Sequence, residues 1–173
     1  MASADLPGQA SGRTVEHERR ANPMGAYVAT AGVVIFLISV FLDWVSSPGE
    51  DETSASGYES DTVIPLVAYL GLGLVVALFY ALSRARGKQH RGLTLTTMAV
   101  GIAAVLLSLS YLLDVPGAFE RGGDLETELG AWIGLLGGIV WSVGAGLLAK
   151  EPEGDDDWHG ERVHTDSRSN RNR

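Results

Sequence analysis

Four uncharged apolar blocks, at 25–42, 63–82, 93–113 and 129–149, alternate along the chain with polar, charge-bearing segments. Each is 18 to 21 residues long, close to the roughly 20 residues with which an α-helix crosses a hydrocarbon core of about 30 Å. Four such blocks in one chain are not the pattern of soluble buried helices. The pattern predicts an all-α membrane protein, with four transmembrane helices forming an up-down bundle over 25–149. The tails, 1–24 and 150–173, are polar, lack apolar periodicity and read as disordered. The first block exceeds the roughly 7 to 15 apolar residues of a signal peptide, and no small-x-small cleavage site directly follows it, so it reads as a retained span. Pro65 falls in the first turn of the second block, where a missing N–H costs little. Trp44, Tyr69 and Trp132 fit an aromatic belt at the outer interface, while Trp141 lies deeper and reads as a helix-contact residue.

Small residues mark the packing faces. In the last block Gly130, Gly134, Gly138, Ser142 and Gly146 recur every fourth position, and Gly130, Gly137 and Gly144 every seventh. Such residues let helix backbones approach closely where lipid removes the hydrophobic drive. A strict i+4 row drifts by about 40° per step, so it cannot face one straight partner, whereas a spacing of seven is that of left-handed packing. With Gly71 in the second block, these glycines are expected to serve contacts within one bundle.

The two halves also resemble each other. Ser39, Asp43 and Pro48-Gly49 at the end of the first block correspond to Ser110, Asp114 and Pro116-Gly117 at the end of the third. Leu66, Ala68, Tyr69, Leu70, Gly71 and Leu72 align with Leu129, Ala131, Trp132, Ile133, Gly134 and Leu135. This predicts two duplicated helical hairpins of the same orientation, related by an axis along the membrane normal, an arrangement found among transporters.

Charge supplies the orientation. Of the 13 Lys and Arg residues, 12 lie in the tails and the central loop, and Arg121 alone lies in the other two loops. Basic segments stay inside, so both termini are expected in the cytoplasm of a multi-pass cell-membrane protein. The formal net charge of −8 then divides into a strongly acidic outer face and a nearly balanced inner one. The inner basic residues orient the chain and touch anionic lipid, at about 1 kcal/mol each; they do not indicate nucleic acid.

Candidate chemistry is sparse. The four blocks hold no ionisable side chain of the kind that marks proton relays or ion paths. There is no cysteine, no phosphate-cradling glycine loop, no metalloprotease motif and no nucleophile elbow. The expectation is therefore a non-enzyme without catalytic residues, cofactor or dedicated metal site. One speculative outer cation site remains, formed by Asp43 and Asp114 with Ser39 and Ser110 one helical turn deeper, since hard oxygen ligands suit Ca²⁺ or Mg²⁺. Its plainer reading is a pair of interfacial acids that end apolar stretches. Thr94, Thr96 and Thr97 are assigned to packing. Asp155, Asp156, Asp157, His159 and His164 are read as part of a solvated acidic tail.

FLDWVSS and SGYES around the first outer loop, with LGAWIGLLGGIVWSVGAGLL in the last block, resemble small uncharacterised four-span membrane proteins of actinobacteria and halophilic archaea. The resemblance implies a four-helix membrane bundle and no catalytic residues or ligand. Claudin-like tetraspan proteins also place a Trp early in an outer loop, but the cysteines expected with it are absent, and their function is not carried over. The expected function is an accessory or scaffold component of a cell-envelope assembly. Its partners would be the lipid bilayer and a second copy or another membrane protein. The alternative is a channel or small-solute transport component with an acidic outer mouth.

Overall fold

The computed structural model describes residues 22–47, 53–84, 91–115 and 125–151. The two Pro-Gly turns, Arg86, Lys88, Arg121 and the acidic tail cluster lie outside the described residues. In chain order the elements are α1 (Met24–Ser39), β1 (Asp43–Ser47), β2 (Thr53–Ser56), α2 (Gly57–Ser60), α3 (Val63–Arg84), α4 (Arg91–Leu113), β3 (Glu126–Thr127) and α5 (Leu129–Ala149). The helices α3, α4 and α5 are long and apolar enough to cross a membrane; α1, with 16 residues, is shorter.

Two features depart from an all-α bundle with a first span over 25–42. The chain is mostly helical, but β1 pairs antiparallel with both β2 and β3, giving a small sheet of order β2-β1-β3. The first helix stops at Ser39, although the sequence stays apolar through Leu42. In both, backbone groups beyond the helix find partners within the protein: residues 40–42 pair with the last turn of α1 and with Gly57 and Tyr58 of α2, and β1 pairs with β2 and β3. The Asp43↔Ser56 and Val45↔Thr127 pairings bring the two outer loops onto one strand.

Between the helices the interior is lined by small residues, which leave room for a few large buried side chains, among them Trp44, Trp141, Tyr111 and Phe36. Ala29, Ala68, Ala104, Ala131 and Ala145 are buried, together with Ser39, Thr94, Thr97 and Ser108. Leu66, Val76, Leu106, Leu136 and Leu147 point outward. Large aliphatic residues are among those most often buried in water-soluble proteins, so this exterior suits an apolar surrounding.

Two adjacent faces of α5 organise the bundle. On the first, α1 runs antiparallel at backbone distance. A Cβ added to Gly144 would collide with the Ala29 backbone, one on Gly32 with the Trp141 backbone, and one on Gly137 would lie 2.6 Å from Phe36 N. On the second face α4 approaches: a Cβ on Gly138 would lie 2.9 Å from Val105 N, and one on Gly101 2.8 Å from Ser142 Oγ. Of the row spaced by seven, Gly137 and Gly144 thus meet α1 while Gly130 meets Asp43 and Trp44 of β1, and the Gly134-Gly138-Ser142 row meets α4. Gly146 departs from the expected packing set. A Cβ there would meet only Met98 Sδ, at 3.7 Å, because twelve residues carry it about 120° around the helix from Gly134.

Helix α3 packs against α1 and α4, so each long helix neighbours the next in the chain and α5 returns to α1. Its buried positions Ile64, Ala68, Gly71, Val75 and Leu78 alternate in steps of four and three, a single inward stripe. Gly71 lies against the Trp141 ring, where a Cβ would fall 2.5 Å from Cη2. Phe36 meets the same ring edge-on at 6.4 Å. At the opposite end from the sheet, Ala26, Leu78 and Leu148 form a separate small cluster.

Gly144→Ala should therefore push α1 from α5 and destabilise the bundle by about 1–3 kcal/mol, as overpacking does. Gly73→Ala is the contrast, since a Cβ there meets nothing within 4 Å, and it should be neutral or stabilising by up to about 1 kcal/mol. Unfolding of the two variants in a mild detergent titrated with dodecyl sulfate should show Gly144→Ala unfolding earlier than the parent and Gly73→Ala no earlier.

Candidate functional site

The residues that hold the outer end of the bundle together begin where α1 stops. A helix end leaves its last carbonyls without intrahelical donors. Here Phe41 N donates to the Ile38 carbonyl and Leu42 N to the Ser39 carbonyl, each at 3.1 Å. The Ser39 carbonyl also accepts the Trp44 indole Nε1–H at 2.7 Å. A side chain five residues downstream thus serves as part of the helix cap.

That geometry turns Trp44 inward, where it is wholly buried. Its expected place in the aromatic belt is corrected: residues 40–42 fold the chain back, and β1 delivers the indole into the bundle instead of along the interface. Three glycines from two elements make the slot. A Cβ on Gly130 would strike the indole, one on Gly134 would lie 2.8 Å from Cζ2, and one on Gly57 2.7 Å from Nε1. Tyr111 of α4 meets the ring edge-on at 5.3 Å and Phe36 of α1 at 6.2 Å. Pairs of this geometry contribute about 0.5–1.5 kcal/mol beyond their buried area.

The outer loops close around this ring by hydrogen bonds. Glu128 N donates to the Trp44 carbonyl at 2.9 Å, and the Ser46 hydroxyl to Glu128 Oε1 at 2.6 Å. Thr127 Oγ1 donates to the Tyr111 carbonyl at 2.6 Å, finishing α4. Asp61 accepts from Val63 N at 3.0 Å at the start of α3, and from the Tyr111 hydroxyl at a longer 3.4 Å. Ser56 caps α2 through a reciprocal box with Glu59, an arrangement that satisfies donors at a helix start. The sheet-side ends of α1, α3 and α4 are finished by Trp44, Asp61 and Thr127 respectively.

The speculative cation residues are placed differently from their expected cluster. Asp43 and Asp114 are both exposed. Ser39 is buried and its hydroxyl donates to the Phe36 carbonyl, while the Ser110 hydroxyl donates to Leu107, both at 2.7 Å. Asp114 keeps the helical turn above Ser110, with a backbone bond of 3.0 Å. Asp43 does not keep it above Ser39, because α1 has ended and Asp43 begins β1. Among the described residues, no three His, Cys, Asp or Glu side chains gather as a metal would require. Thr94 and Thr97 are buried, and the Thr97 hydroxyl donates to the Leu93 carbonyl.

Comparison of the chain with protein-family models, with curated proteins and with solved structures finds no match. The geometry itself therefore carries the functional reading. What the arrangement can do is mechanical: it joins a polar sheet to an apolar bundle through a buried indole. Sequence reasoning missed Gly25, Gly32, Gly57 and Gly101 as close-approach positions. A signal was present for two of them, since Gly25 and Gly32 are seven apart, as are Gly130, Gly137 and Gly144. For Gly57 there was none, because its partner Trp44 is distant in the pattern.

Gly134→Leu should drive its side chain into the Trp44 ring and abolish folded monomer, whereas a change in oligomer size with the monomer fold intact would place Gly134 in a homodimer contact. Trp44→Ala should cost about 3–5 kcal/mol, as large-to-small changes of a buried Trp do. Size-exclusion chromatography with light scattering decides the first, and denaturant midpoints in detergent the second.

Proposed function

We propose that this chain is a non-enzymatic multi-pass protein of the cell membrane, with four spans and both termini cytoplasmic, acting as an accessory or scaffold component of a cell-envelope assembly. The observation that carries this reading is the apolar exterior of the bundle: large aliphatic residues point outward while glycines bring the helices to backbone contact within. Lipid is the surrounding that such an exterior fits, and close packing is how helices associate there. Buried hydroxyls support the non-enzymatic part, since Ser39, Thr97 and Ser108 each donate to a carbonyl of their own helix. The charge asymmetry of the loops supports the orientation. The capped outer end supports a scaffold role, because a sheet tied to three helix ends presents a fixed polar surface on that side of the bilayer.

The partner in this reading is another membrane protein or a second copy of the chain. Purification in gentle detergent after cross-linking in the membrane should recover one specific partner or a defined homo-oligomer. A monodisperse monomer with no cross-linked partner would count against the scaffold role.

A further inference from the structure

The shortest of the four long helices, α1, ends beside two exposed aromatic side chains, and the backbone around them is paired as lipid would demand. At 1.5 Å per residue the 16 residues of α1 span about 24 Å, short of a hydrocarbon core of about 30 Å. α3, with 22 residues, and α4, with 23, span about 33 Å and 34 Å. Residues 40–42 therefore continue α1 at a depth where its neighbours are still helical. Non-helical backbone is tolerated at such depth only when its polar groups are satisfied within the protein. That condition is met on both sides of the turn. Phe41 N and Leu42 N donate to Ile38 and Ser39, and the carbonyls of Val40 and Leu42 accept from Tyr58 N at 3.0 Å and Gly57 N at 3.1 Å.

These bonds seat α2 against the end of α1. They leave Phe41 65% and Tyr58 54% exposed on a face whose other charged and polar groups belong to an acidic outer surface. Exposed aromatic rings at the end of a short span have a fitting environment in the headgroup and upper acyl region, where aromatic belts lie. A span shorter than the bilayer is accommodated by local thinning and interfacial anchors.

We infer that residues 40–42 and α2 form an interfacial anchor in the outer leaflet, with Phe41 and Tyr58 seated among phospholipid headgroups and setting the depth of α1. The inference rests on the reading that α3, α4 and α5 cross the bilayer. The anchor makes up the deficit in α1 with a hydrogen-bonded turn and a one-turn helix. It places β1 and the Trp44 slot at the membrane surface rather than above it.

The chain has no cysteine, so single-cysteine variants can be spin-labelled directly. The full-length variants Phe41→Cys, Tyr58→Cys, Ile102→Cys and Thr53→Cys are reconstituted in phosphatidylcholine–phosphatidylglycerol vesicles, and label collisions with oxygen and with a water-soluble nickel complex are compared. Ile102, mid-way along α4 and outward-facing, reports whether the helix crosses; Thr53, exposed on β2, reports water. The expected result is a deep Ile102 label, an aqueous Thr53 label, and Phe41 and Tyr58 labels at intermediate depth. Phe41 and Tyr58 labels as aqueous as that of Thr53, with Ile102 deep, would overturn the anchor and leave the spans standing. A water-accessible Ile102 label would overturn both.

Discussion

The outer half of the molecule depends on one contact, the Trp44 indole in its slot of glycines. Its N–H completes the end of α1 at Ser39, its faces and edges set how closely Gly130 and Gly134 of α5 can approach, and its backbone carbonyl holds Glu128 at the entry to α5. A buried donor left without an acceptor costs about 1–3 kcal/mol, so the Ser39 carbonyl constrains the ring angle as firmly as the glycines do. Trp141, one layer deeper, provides the contrast: its Nε1 is buried with no hydrogen-bond partner. That ring is held by shape, with the α3 backbone at Gly71 on one side and the edge of Phe36 on another.

Shape can suffice there because of how these helices cohere. In lipid, large apolar side chains gain little by moving from acyl chain to protein interior, so association rests on dispersion and on close approach. Gly144, Gly137 and Gly32 permit α1 and α5 to meet at the backbone, and Gly138 and Gly101 do the same for α4 and α5. α3 has a glycine at its meeting with the Trp141 ring, and Val75 and Leu78 elsewhere on its inward stripe. The division of labour follows from side-chain size: α5 is the narrow post on which α1 and α4 close, and α3 covers the remaining side.

Much of this was legible in sequence. The four apolar blocks gave the four helices, and the two glycine rows, one spaced by four and one by seven, gave two packing faces on α5. The end of α1 was not legible, because residues 40–42 are as apolar as the helix before them and hydropathy cannot register a change of backbone partner. The donors that end it, the Trp44 indole, Gly57 N and Tyr58 N, come from the close of the apolar block and from the polar segment after it. Trp44 was misplaced for a related reason. A Trp at the end of an apolar block looks the same locally whether it faces lipid or fills a slot, and the deciding glycines stand 13, 86 and 90 residues away. The i, i+4 argument that set Ser39 below Asp43 met the same boundary, since it needs a helix that has already stopped.

The likeness between the two halves also has a physical side. Ala68 and Ala131 are both buried, Tyr69 and Trp132 both exposed, and Gly71 and Gly134 each lie against an indole, that of Trp141 and that of Trp44 respectively. The aligned positions therefore do matching work with different partners. The halves part at the ends of α1 and α4, where Asp43-Trp44 corresponds to Asp114-Val115. Trp44 and Val115 are both buried, yet only one is large. α4 runs helical to Leu113, whereas α1 stops at Ser39 and the chain turns so that Trp44 enters its slot of glycines; the internal likeness breaks where the one buried indole of this layer is brought in.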